Sequence, residues 1–227
     1  MFCQRVEFRS RSRGLLAIAR WQRTRHVSSA PHVSRGEKES GWRCSTVATE
    51  AFMLPEFRYH PDPLATGNVK PSEAVCACCQ RVRGYIYEAS VYGPGELRGK
   101  LCPWCIADGE AAFRFGVYFS VEDPLVEAGI ARHIINEVTR RTPGYNCWQQ
   151  EEWQVCCGDA CAFRGDATSE ELKALDGDAL GRLQEKWEIT PQLWEELLNF
   201  YVPGGGVSVF RFVCRVCGRP NFALDLA

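Results

Sequence analysis

The chain has 227 residues, 45% of them hydrophobic and 24% charged, an ordinary globular balance that allows one domain or a pair of small ones. Its net charge of −1 hides a split: residues 1–52 carry nine Arg, one Lys and four acidic residues, a net of +6, and the remainder is at −7. An acidic body disfavours nucleic acid as a partner, because phosphate binding needs net Lys/Arg to release counterions, and no run approaches the roughly 18 apolar residues that span a bilayer.

Residues 1–52 are rich in Arg and Ser, show no sustained period, and are expected to be a disordered extension. Met53 is the only methionine besides Met1. We read it as the true start, with the upstream start misassigned, in preference to a transit peptide, which requires a eukaryotic source. Residues 53–227 then form the folded domain. Four prolines between Leu54 and Pro71 predict an extended arm. Gly84-Tyr85-Ile86-Tyr87 reads as a strand and Tyr92-Gly93-Pro94-Gly95 as a loop. Asp123-Pro124 predicts a helix start, with Val126, Ile130, Ile134 and Val138 as its buried face and Pro143-Gly144 as its stop. Thr168 or Ser169 caps a second helix, broken near Asp176-Gly177-Asp178. A third runs from Thr190-Pro191 to Tyr201, followed by a Gly204–Gly206 turn and a strand from Val207 to Val213.

The 13 cysteines carry the strongest pattern. Without a convincing secretory signal, an odd cysteine count and two-residue spacings favour metal over disulfides. Cys76 and Cys79 are separated from Cys102 and Cys105 by 22 residues, the spacing of a zinc ribbon. Four thiolates close the tetrahedral shell, so such a site braces structure and does not hydrolyse. Cys78 is the alternative if the register differs. Cys157 and Cys161, with Cys214 and Cys217, are expected to close a second zinc site across 52 intervening residues, with Cys156 as an alternative or spare. The rival reading of Cys102-Pro103-Trp104-Cys105 is a dithiol redox centre, which needs a βαβ context and a helix N-terminus at the first cysteine. Cys3 and Cys44 are read as free thiols. His60 and His133 are not assigned as ligands.

Tyr145, Trp148, Gln149, Glu151 and Trp153 combine aromatics with an amide and an acid, a set able to stack on and hydrogen-bond a flat or sugar-like ligand. The blander alternative is a loop anchored by its tryptophans. His60 and Asp62 offer an acid–base pair, or else capping and turn formation. No nucleophile elbow is present, and Gly204–Gly206 lacks the lysine and helix of a phosphate loop.

From Leu54 onward the chain resembles the CbrC family. The resemblance rests on Leu54-Pro55-Glu56-Phe57-Arg58-Tyr59-His60-Pro61-Asp62-Pro63, Leu101-Cys102-Pro103-Trp104-Cys105-Ile106-Ala107-Asp108-Gly109, Arg141-Thr142-Pro143-Gly144-Tyr145, Trp148-Gln149-Gln150-Glu151-Glu152-Trp153 and Cys157-Gly158-Asp159-Ala160-Cys161-Ala162-Phe163. Position 156 is often another residue in that family, which points to Cys157 as the ligand; Asn221 to Leu226 also departs from the usual ending. The family's name is associated with colicin E2 tolerance, and its mainly bacterial membership implies a soluble cytoplasmic protein; it brings no catalytic residues. The expected fold is α+β, with small zinc-ribbon-like β elements, a helical insertion and two four-cysteine zinc sites. The expected function is a non-enzymatic zinc-binding protein acting through contacts with an as yet unknown protein partner. The alternatives are a small-molecule-binding enzyme using the Tyr145–Trp153 loop and a dithiol redox protein.

Overall fold

A computed structural model describes residues 53–226; the expectations for residues 1–52, including Cys3 and Cys44, lie outside the described residues. The proline-rich arm runs without helix to β1 (Val69–Pro71), which pairs antiparallel with β2 (Tyr85–Tyr87) in the register Val69↔Tyr87. Leu101 bridges to the other side of Tyr87. Two short helices follow, α1 (Pro103–Ala107) and α2 (Glu110–Phe115).

The helix expected from Asp123 is two helices, α3 (Asp123–Glu127) and α4 (Arg132–Arg141). Gly129 takes φ +68 between them, a left-handed conformation that ends α3 and resets the helical phase. The four-residue pattern is therefore corrected: Val126 is exposed, and the buried positions are Leu125, Ile130, Ile135 and Val138. Glu122, not Asp123, occupies the cap position of α3. Beyond α4, Gly144 passes so close to the backbone that a Cβ would sit 1.8 Å from the Phe119 carbonyl oxygen. Its N–H donates to the Tyr87 hydroxyl at 3.1 Å. This contact fixes where the Tyr145 loop begins.

A hairpin of β3 (Val155–Cys156) and β4 (Asp159–Ala160) leads into β5 (Ala162–Asp166). The helical insertion comprises α5 (Ser169–Lys173), α6 (Gly177–Trp187) and α7 (Pro191–Phe200). Each begins on the residue chemistry that satisfies free backbone donors. Thr168 and Glu171 form a capping box, Asp176 accepts from Ala179, and Thr190 accepts from Leu193. The chain returns through β6 (Val207–Val213) and β7 (Pro220–Leu226), completing an antiparallel sheet in the order β5–β6–β7.

Alternation along this sheet divides the interior, since successive side chains in a strand face opposite sides. Val209, Phe222 and Leu224 pack on Leu172, Leu183, Trp194 and Leu197 of the helical insertion. Phe210, Phe212 and Ala223 face an aromatic core with Tyr145, Trp153 and Phe163. Tyr145 stacks on Phe163 with centroids 4.5 Å apart. A further core gathers Leu101, Ile106, Val117 and Phe119 around Cys76, Cys102 and Cys105. Among the described residues no helix is long and apolar enough to cross a membrane.

Candidate metal centres

The first cluster is built by two knuckles. Val75 bridges to Val82, the Cys76 N–H donates to the Arg81 carbonyl at 3.0 Å, and Gln80 turns the chain at φ 57. That tight loop aims Cys76 and Cys79 to one side. Cys102 is the residue before α1, and Cys105 lies on its first turn. The Ala77 N–H donates to Lys100 at 2.8 Å and the Cys102 N–H to the Cys76 sulfur at 3.2 Å, locking the knuckles together. Cys76, Cys79, Cys102 and Cys105 bring their sulfurs within 4.8 Å of one another. The Cys76–Cys105 and Cys79–Cys102 separations are 4.0 and 3.9 Å, nearly twice a disulfide bond of about 2.05 Å. Hydrogen bonding from the Cys102 thiol, helped by backbone donors and opposed by burial, holds the Cys76 thiol down to about 4. A cation at the centre would let all four thiols ionise together. Cys78 is buried beside the cluster but outside it, its thiol raised chiefly by burial.

The second cluster joins two hairpin ends. Cys157 and Gly158 both take positive φ, 53 and 71, at the tip of β3–β4, the backbone of a two-residue turn. Cys214 and Cys217 sit in the β6–β7 connection, where the Cys214 N–H donates to Arg219 and the Gly218 N–H to Cys214. The four sulfurs that converge belong to Cys156, Cys157, Cys214 and Cys217. Cys156 lies 3.7 Å from Cys157 and 3.8 Å from Cys217. Burial raises the Cys214 thiol, but the N–H groups of Cys217 and Val216, each 3.4 Å from its sulfur, together with the Cys217 and Cys156 thiols, outweigh burial and lower it.

Cys156 thus takes the place expected for Cys161. Three residues separate Cys157 from Cys161. The chain beyond the tip is extended, and a strand rise of about 3.3 Å per residue carries Cys161 away. Cys161 is fully buried in the aromatic core; its sulfur accepts from Asn221 at 3.6 Å and its carbonyl from the Trp153 indole at 2.9 Å. The signal for Cys156 was present as Cys157-Gly158, a turn pair between Val155-Cys156 and Asp159-Ala160.

Asp159 ties the second cluster to the arm. It accepts from the Tyr59 hydroxyl at 2.7 Å and from Arg215, between Cys214 and Cys217, at 2.8 Å. The clusters differ in access: Cys157 and Cys217 are exposed, whereas Cys76, Cys102 and Cys105 are buried.

His60 is buried, with Nδ1 donating to the Pro143 carbonyl at 2.8 Å and Nε2 accepting from the Thr66 hydroxyl at 2.7 Å. Nδ1 joins the arm to the turn after α4 and Nε2 ties the arm to itself, and burial lowers the ring's pKa to about 4. Asp62 accepts from the Ala65 N–H at 3.0 Å, which forms a turn. Tyr145 and Trp153 are buried, Trp148 is 68% exposed, and the Gln149 N–H donates to Asp225 at 2.9 Å. Glu151 is buried with no hydrogen-bond partner on either oxygen. Burial pushes its carboxyl from 4.5 up to about 8, only partly offset by the nearby Val121 and Tyr145 backbone and the Ser120 and Tyr92 hydroxyls.

Two predictions follow from these placements. Cys156→Ser is expected to lower bound metal by one ion per chain in elemental analysis, while Cys161→Ser leaves the count unchanged. For Glu151, the folded pKa is raised, so its contribution to stability is fully present below the unfolded value and is lost as pH rises through about 8. The penalty at and above pH 8 is on the order of 5 kcal/mol. Glu151→Gln is expected to raise thermal stability at pH 8 and flatten its fall across that window; an unchanged pH profile would remove Glu151 as its source.

The profile of the uncharacterised protein family UPF0167 matches residues 54–226. A UPF0167 protein of Pseudomonas aeruginosa is 49% identical over 173 residues, which is 76% of this chain and 97% of that one. UPF0167 proteins of Mycobacterium bovis and Mycobacterium tuberculosis are each 39% identical over 168 residues, 73% of this chain and 89% of theirs. No solved structure matches. The chain belongs to the uncharacterised protein family UPF0167.

Proposed function

We propose that this chain is a zinc protein, braced by two closed four-thiolate sites, that works by binding another molecule and not by metal catalysis. The observation that carries this reading is the sulfur spacing. Four sulfurs about 2.3 Å from one zinc ion in a tetrahedron stand about 3.8 Å apart, and the separations here are 3.7 to 4.0 Å. Zinc would be held by Cys76, Cys79, Cys102 and Cys105 in the first site, as in a zinc ribbon, and by Cys156, Cys157, Cys214 and Cys217 in the second. Four protein ligands leave no position for a hydrolytic water. Cys102 and Cys105 each lie against a sulfur of the first knuckle, which supports ligation over dithiol exchange.

The resemblance to the CbrC family supplies the setting of this reading: a cytoplasmic protein with a role in colicin E2 tolerance, exerted through contact with a protein partner. A second reading, a small-molecule-binding protein that uses the Tyr145–Trp153 loop, is supported by a cleft of about 860 Å³ reached by Tyr145 and Trp148. The test of the zinc reading is elemental analysis of the full chain purified without added metal. Two zinc ions per chain are expected, with the cluster thiols protected from an aromatic disulfide reagent until a chelator is added. Less than one zinc, with all thiols titrating in the folded state, would contradict it.

A further inference from the structure

The cleft lies between the arm at Asp62–Asn68, the loop at Tyr145–Trp148 and the β5–β6–β7 sheet, and its 860 Å³ is within the size range of small-molecule sites. Its floor includes Tyr145, Phe163 and Phe210, already locked in the aromatic core, so the floor is preformed. Polar residues from all three strands line it: Asp166 of β5, Ser208 of β6 and Asp225 of β7. Ser208 and Asp225 are cross-strand partners. Asp225 is satisfied by two backbone donors, Trp148 N–H at 2.6 Å and Gln149 N–H at 2.9 Å, which fasten the loop to the sheet.

Asp166 differs. Its Oδ1 is buried without a hydrogen-bond partner, while the Ser208 side chain and the Gly204 backbone lie against the carboxyl group and partly offset its burial. Neither Asp166 nor Asp225 is in an ion pair among the described residues, and burial raises the pKa of both. The cleft's basic residues are elsewhere. Arg211 pairs with Glu171 at 3.0 Å, and the Arg98 Nε donates to the Glu88 carbonyl at 2.8 Å. Arg164 is exposed on the cleft wall and has no ion pair among the described residues. An aspartate with one unpartnered oxygen and an arginine without an ion pair therefore line one cavity whose three aspartates and three arginines balance. Unpaired charge of each sign is best met by a ligand carrying both. A neutral sugar could donate to Asp166 but would leave Arg164 unanswered, and a polyphosphate would be repelled by the three aspartates.

We propose that this cleft binds a small zwitterion of the amino-acid class, its ammonium group on Asp166 and its carboxylate on Arg164, beside the exposed Trp148 indole. The proposal deepens the small-molecule reading above and rests on it, but does not depend on the identity of the metal. The test is isothermal titration of the full chain with L-glutamate, L-arginine and L-phenylalanine, alongside glucose and adenosine monophosphate. Saturable binding of at least one amino acid is expected. Charge-assisted contacts of this kind make Asp166→Asn and Arg164→Ala each weaken it by roughly tenfold. Arg164 is exposed, so its substitution keeps the test valid if Asp166→Asn does not fold. Binding of glucose or adenosine monophosphate without any amino acid overturns the zwitterion while leaving a small-molecule site. Binding of none of the five overturns both, and an amino acid whose affinity survives Arg164→Ala overturns the assignment.

Discussion

Thiolates repel one another, and the fold gathers eight thiols at two points. Within each quartet the sulfurs lie within 4.8 Å of one another, where a single negative charge already suppresses ionisation of the rest. A multivalent cation reverses that sign and turns the repulsion into a cross-link. Much of the described chain is organised by this constraint. The first quartet fixes the loop after β1, the end of β2 and the start of α1 around one core. The second joins the β3–β4 tip to the β6–β7 turn. Sheets this short, two residues in β3 and two in β4, bury too little surface to hold themselves.

The second quartet is also mechanically linked to the cleft. Strand β6 carries Ser208 and Phe210 at the cleft and ends at Val213, one residue before Cys214 of the cluster. Asp159 extends the brace to the arm through Tyr59 and Arg215, and His60 extends it to the turn after α4 through Pro143. The arm, the Tyr145 loop and the sheet, the three walls of the cleft, are thus tied to one another by specific polar contacts. Asp225 supplies the last of these by holding the loop backbone. A braced, preformed cavity loses little entropy on binding.

Local chemistry was legible in the sequence wherever the signal is local. Thr168 caps α5 and Thr190 starts α7 as read, the break near Asp176 is where α5 gives way to α6, and the two-residue cysteine spacings mark knuckles. Features set by backbone direction or distant partners were not. Gly129 divides a pattern that looked like one helix, and an extended segment carries Cys161 away from the quartet. His60 and Glu151 read as surface chemistry because burial depends on segments dozens of residues away. Asp166 and Asp225 drew no notice, being single acids in strands that meet only through the β6 crossing. The strand β7 was hidden for the same reason, since its apolar alternation begins just after a cysteine knuckle that dominates the local pattern.

The central claim is that all-sulfur metal centres hold this fold together. X-ray absorption at the zinc edge, on full-length protein as purified, addresses it most directly. The account predicts a first shell of four sulfurs at about 2.3 Å with no lighter atom. A shell containing nitrogen or oxygen, or an expanded coordination number, would contradict it.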